Sequence, residues 1–251
     1  RLSPFVQLHA YRNRFLRVLD FETLGLQEDY QLGHEVFLRA YPAAKALGST
    51  RDLLGVYGSA SYTAPFSGGL ARVYGTSNVQ LSRAGQSDAS ASVGARIVSP
   101  RSPIGRLLFD GYVLDRFFNY LNPLQSLGGT TRLRGYRAQA FVGPDVVVSN
   151  VEFRSRPLEL LSVLVGAVAF YDAGDAFRDF ASMKLRQSVG GGLRFVFPPV
   201  QRSVFRIDVG VPLNPSDPEA DTAIVAQFEQ AFGMPKLGSP GFIDYGPASL
   251  Q

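Results

Sequence analysis

The side chains best able to do chemistry in this sequence are a cluster of arginines and two acids. Arg132, Arg134 and Arg137 alternate with Leu133, Gly135 and Tyr136 inside a long stretch without periodicity, residues 116–144. Further on, Glu152 stands between Asn150 and Arg154, and Asp172 follows Tyr171. A guanidinium presents a planar fork of donors, so two neighbouring carboxylates make a site for it, held by charge-assisted hydrogen bonds that can be bidentate. Two other uses stay open. Glu152 and Asp172 could pair instead with Arg154, Arg194 or Arg206, because buried charges are paired with something. A carboxylate pair is also what a glycosidase needs. No nucleophile motif, phosphate loop or metal-ligand spacing accompanies the pair, and His9 and His34 are isolated. The expectation is therefore no enzyme, no catalytic residue, no metal and no cofactor.

Whether those acids can meet Arg134 depends on the elements that carry them. Period-two alternation recurs along the chain, the mark of strands with one face unlike the other. In 145–156, Val147, Val151 and Phe153 oppose Asn150, Glu152 and Arg154. In 162–172, Val163, Val165, Ala167, Ala169 and Tyr171 share a face, which puts Asp172 on the other. In 203–212, Phe205, Ile207, Val209 and Val211 oppose Arg206 and Asp208. The same pattern runs through 188–198, 222–232 and, upstream, segments near 36, 56, 73, 93 and 109. Residues 5–18 obey it until Arg12 and Arg14, where a bulge or a strand end outside an apolar band is expected. The count is about eleven strands, each near the length that spans a bilayer when tilted. Only 179–187 could hold a helical turn.

The links between strands alternate between short, proline-bearing turns and longer loops, the asymmetry of an outer-membrane barrel. The link at 19–29 is longer than its rim predicts. The 251 residues include no cysteine and no apolar run long enough for a membrane helix. The net charge of +4 is dispersed, which argues against a dedicated nucleic-acid surface. A soluble sandwich or lipocalin-like barrel also alternates, and alternation alone leaves open which face points inward.

Leu133-Arg134-Gly135-Tyr136 resembles the Val/Leu-Arg-Gly-Phe/Tyr motif in the long inward-folded loop of BamA- and TamA-like proteins, the outer-membrane insertase superfamily. Asn150-Val-Glu152-Phe-Arg154 resembles that family's Asn-x-Glu-Phe-Arg on the strand after the loop, and Asp172-Ala-Gly174 its Asp-x-Gly on the next. Residues 24–33 look like a turn sequence common in the family, and five strands follow the loop, as they do there. The resemblance extends to Phe232.

It implies an all-β fold, a transmembrane antiparallel β-barrel over residues 1–232, with the loop 116–144 folded inward between the sixth and seventh visible strands. Family barrels have sixteen strands preceded by POTRA domains, so the expectation is either further strands and domains upstream of Arg1 or a reduced barrel of about twelve strands. The resemblance implies that Arg134 pairs with Glu152 and Asp172 and so holds the barrel's conformation; Gly135 would turn or approach the wall closely, and Tyr136 would pack on it. Phe228 and Phe232 resemble the terminal-strand signal of outer-membrane proteins, with Gly233 tolerating a kink at a weak seam. The implied task is non-enzymatic: inserting nascent outer-membrane proteins, or translocating polypeptide, in contact with outer-membrane lipids. The rival is an accessory barrel in a larger envelope complex, favoured by the extension 233–251, which is expected to be periplasmic and to dock a partner.

Overall fold

A computed structural model describes residues 3–83, 85–130, 132–199, 201–214 and 222–228. The expectations for Phe232, Gly233 and the extension 233–251 fall outside these residues. Sixteen strands follow one another: β1 (Val6–Tyr11), β2 (Phe15–Leu19), β3 (Gln27–Gln31), β4 (Gly33–Ala43), β5 (Leu53–Phe66), β6 (Gly69–Leu81), β7 (Asp88–Val98), β8 (Gly105–Asn119), β9 (Gln125–Leu127), β10 (Phe141–Gly143), β11 (Asp145–Ser155), β12 (Leu158–Leu160), β13 (Val163–Phe177), β14 (Arg186–Phe197), β15 (Gln201–Pro212) and β16 (Ala223–Phe228). Lys45–Leu47 and Phe180–Ser182 form single 3₁₀ turns. No helix among the described residues is long and apolar enough to cross a membrane, which says nothing of strands.

One antiparallel sheet of 12 strands dominates, in the order β1-β4-β5-β6-β7-β8-β11-β13-β14-β15-β16, with β12 beside β13. Neighbours in this order are consecutive in sequence apart from small inserted strands, so local hairpins build it. Ser67 and Gly68 turn the β5–β6 hairpin with φ of 46° and 86°, the left-handed pair that matches the twist of the flanking strands.

The two faces of the sheet are chemically opposite. On β7, Arg96 is 2% exposed while its neighbour Ile97 is 44% exposed; on β15, Asp208 is 1% exposed and Val209 41%. Val73, Val93, Leu107 and Leu193 line the exposed side as well. A soluble sandwich or barrel places these residues the other way round, because burying apolar surface is what drives its folding. Singly exposed apolar side chains are ordinary on a protein surface, but here they share one face of the sheet.

Two inserted elements cover the polar face. One is the segment 120–144, containing the small β9–β10 sheet. The other is the β2–β3 hairpin. Phe21, Tyr30 and Leu32 pack with Leu70 of β6, Val98 of β7 and Leu108 of β8. Leu24, at the tip of the same hairpin, packs with Val196 of β14 and Val204 of β15. A single hairpin touches strands this far apart only because the sheet curls around it.

Several boundaries differ from the sequence reading. Residues 5–18 are not one strand: β1 ends at Tyr11, and the chain then leaves the sheet to form β2. Arg12 and Arg14 mark the departure, where Arg12 N donates to His34 O and Leu32 N donates to Arg14 O. The link at 19–29 is too long for a turn because it is the tip of this interior hairpin and its second strand. The non-periodic loop is shorter than 116–144, since β8 runs on to Asn119. β13 runs on to Phe177, and the helical turn sought in 179–187 is only Phe180–Ser182.

Candidate functional site

Chain geometry brings Arg134 to the acids. Glu152 is on β11 and Asp172 on β13, and the register sets Asn150 opposite Asp172, so Glu152 is diagonal to it on the same buried face. The loop reaches them through an abrupt turn. Leu133 has φ of 58° and Gly135 φ of 100°. A Cβ on Gly135 would lie 3.0 Å from the Gly210 carbonyl carbon and 3.1 Å from Ser188 Cβ. At Gly135 the backbone turns through a conformation L side chains avoid, and it runs against the wall. Gly210 answers it from β15, since a Cβ there would meet Gly135 N at 2.6 Å.

Arg134 is 1% exposed. Its Nε donates to Asp172 Oδ2 at 2.8 Å and its Nη2 to Asp172 Oδ1 at 2.9 Å, a bidentate fork. Its backbone N–H donates to Asp172 Oδ2 as well, at 3.0 Å. Nη1 donates to Glu152 Oε2 at 2.9 Å. The guanidinium carbon lies 3.5 Å from the centre of the Phe170 ring, so the cation also rests on a π face. Tyr136 is buried beside Phe141 and its hydroxyl donates to Gln187 O at 3.1 Å.

The rival pairing with wall arginines is present too, as an addition. Arg154 Nε donates to the second oxygen of Glu152 at 2.6 Å, so that carboxylate bridges loop and wall. Asp208 was missed as a partner. It lies 3.5 Å from Arg134 Nη1 and receives Arg194 and Arg206. Its alternation with Ile207 and Val209 places it on the polar face, but alternation carries no distance from β15 to the loop. Arg132 was missed in the same way. Its Nη2 meets Asp110 Oδ1 of β8 at 2.6 Å, and its Nη1 donates to Asn150 Oδ1 at 3.2 Å. Asn150 in turn donates to Asp172 Oδ1 at 2.8 Å.

This arrangement can tie the loop to the wall, since Glu152 and Asp172 are both engaged by guanidinium groups. Among the described residues no group of His, Asp and Glu could hold a metal ion. Phe228 sits elsewhere, on β16, its ring 5.2 Å from Phe205. Among the described residues β16 pairs with β15 alone and β1 with β4 alone, so each presents a sheet edge. No family model and no curated protein matches the chain.

Proposed function

We propose that this chain is part of an outer-membrane β-barrel of the insertase and translocase superfamily, with the polar face of the sheet as its lumen and the apolar face against lipid. The observation that carries the reading is the placement of Arg134. The arginine of the Leu-Arg-Gly-Tyr segment forks onto Asp172 and reaches Glu152, the two acids the family resemblance singled out. The exposed apolar side supports the membrane setting, since lipid-facing residues of such barrels alternate with polar lumenal ones.

The task is non-enzymatic. The loop, fixed at one point inside the barrel, holds its shape while a terminal strand edge such as β16 offers unpaired backbone groups to an incoming strand. The partners are outer-membrane lipids and nascent outer-membrane proteins. The test is Arg134→Ala in the full-length chain, expressed in its own host at wild-type level. The expected result is reduced folded outer-membrane protein in the envelope. Unchanged levels of every such protein, with the variant correctly localised, would overturn the insertase reading and leave the accessory barrel standing.

A further inference from the structure

The β2–β3 hairpin is braced from within. The Glu28 carboxylate collects the backbone N–H groups of its tip, from Phe21 at 3.2 Å, Glu22 at 3.0 Å and Thr23 at 2.8 Å. The Tyr30 hydroxyl donates to the same carboxylate at 2.8 Å. Burial, and behind it the charges of Glu22 and Glu28, push that hydroxyl's pKa upward, so it remains a donor. The hairpin joins β1 to β4. In this antiparallel order that is the rim of the short β5–β6, β7–β8 and β11–β13 turns, opposite the rim that sends the loop inward. Arg106 of β8 donates to Leu19 O at 3.0 Å and lies over the Phe21 ring at 4.6 Å.

Two continuous chains of contact join the loop to this hairpin. The first runs from Arg132 to Asp110 at 2.6 Å, from Asp110 to Arg96 at 2.7 Å, and from Arg96 to Glu22 at 3.2 Å. The second runs from Arg134 to Glu152 at 2.9 Å and from Glu152 to Arg154 at 2.6 Å, and Arg154 Nη1 then donates to Phe21 O at 2.5 Å. Both start on loop arginines, pass through a wall carboxylate and a wall arginine, and end on adjacent residues of the hairpin tip. Asp110 is shared between Arg132 and Arg96, and Glu152 between Arg134 and Arg154, with Arg194 at 3.9 Å. Withdrawing the loop removes one partner from each and reorients what is left toward the wall arginine, which changes what that arginine offers the hairpin.

We infer that the hairpin is a second inward element closing the short-turn mouth, and that its seating is coupled to that of the Arg134 loop through Asp110–Arg96 and Glu152–Arg154. Arg96 and Arg154 are positioning residues for both. The inference rests on the polar face being an interior, and stands or falls apart from the insertase reading.

Coupling of this kind is reciprocal, typically about 5- to 150-fold in an equilibrium. The test is amide hydrogen exchange on the full-length chain in detergent micelles. Arg132→Met is expected to raise exchange at hairpin amides 20–28 by about fivefold or more. Replacing 15–31 by a short Gly/Ser turn is expected to raise exchange in 132–137 to a similar degree, with the main-sheet amides still protected. The same replacement is expected to turn a closed protein into an ion-conducting one in planar bilayers. Glu22→Gln, at a side chain 35% exposed and so tolerant of change, gives a milder version of the second shift. Exchange that rises only in the altered element overturns the coupling, and unchanged conductance after the replacement overturns the closure.

Discussion

The loop and the hairpin lie on the same polar face and are held there by different balances of charge and packing. The loop combines the two: Leu127, Leu133, Tyr136 and Phe141 pack with Tyr112, Leu114 and Val148 of the wall, and Arg132 and Arg134 are each matched to a wall carboxylate. The hairpin is fixed mainly by apolar packing, with Phe21 and Leu24 in separate clusters, and by wall arginines donating to its carbonyls. The difference bears on how each could move. Apolar contacts are lost gradually as a surface slides, whereas removing one partner from a buried ion pair leaves a charge behind. The loop should therefore release all at once and the hairpin by degrees.

The sharpest way to break that contrast is Arg134→Ala. It takes the guanidinium from Asp172, which keeps the Asn150 amide, and one guanidinium from Glu152, which keeps Arg154 and Arg194. The expected loss of stability is about 3–5 kcal/mol, read by denaturant unfolding of the micelle-bound chain. Arg134→Lys should recover little of it, because an ammonium cannot make the fork. If Lys restored wild-type stability, charge alone would suffice and the guanidinium geometry would carry no weight.

Gly135→Ala sharpens the same comparison without touching a charge. The residue would hold φ of 100° against the Gly210 backbone. The expected cost is about 1–3 kcal/mol, with the loop displaced while Arg134 remains intact. Crosslinking the loop to β15 through introduced cysteines should weaken in parallel, and the chain has none of its own to interfere.

What was legible in the sequence follows from what alternation can encode. Parity gave the faces of Glu152, Asp172 and Asp208, since a strand assigns its side chains to one side or the other at every step. The motif segment named the guanidinium. Distances across the curled sheet were not legible: Asp208 and Asp110 meet the loop because β15 and β8 curve toward it, and curvature leaves no trace in a period of two. The hairpin was illegible for a related reason. β2 and β3 are short alternating segments, and Leu16, Val18 and Tyr30 would serve as well in a wall as in an interior ribbon. Only the over-long link at 19–29 and the break at Arg12 and Arg14 hinted that the chain had left the sheet. The apolar side was readable as apolar, but its outward direction needed the fold.

Glu28→Gln addresses the hairpin in its turn. An amide oxygen accepts from fewer of the Phe21, Glu22 and Thr23 N–H groups than a carboxylate does, and its NH₂ group opposes them. The expected cost is about 1 kcal/mol, concentrated in the tip and visible as faster exchange at those amides. A cooperative loss of the whole hairpin would show that Glu28 matters to it as Arg134 matters to the loop, and the contrast between gradual and abrupt release would fail.

The smallest effect belongs to Arg17→Ala. Arg17 and Asp29 face each other across the hairpin at 3.7 Å, with side chains 72% and 57% exposed. Solvent reaches both, so the pair is screened and its contribution should be about 0–0.5 kcal/mol. The chemical groups are those of the Arg134–Asp172 pair; burial and geometry are what differ. Measured beside Arg134→Ala in the same micelles, this variant isolates the effect of environment on one kind of ion pair. Comparable losses from the two would mean that the outer side of the hairpin is as shielded as the loop, and that the polar face is closed over more completely than exposure of these side chains indicates.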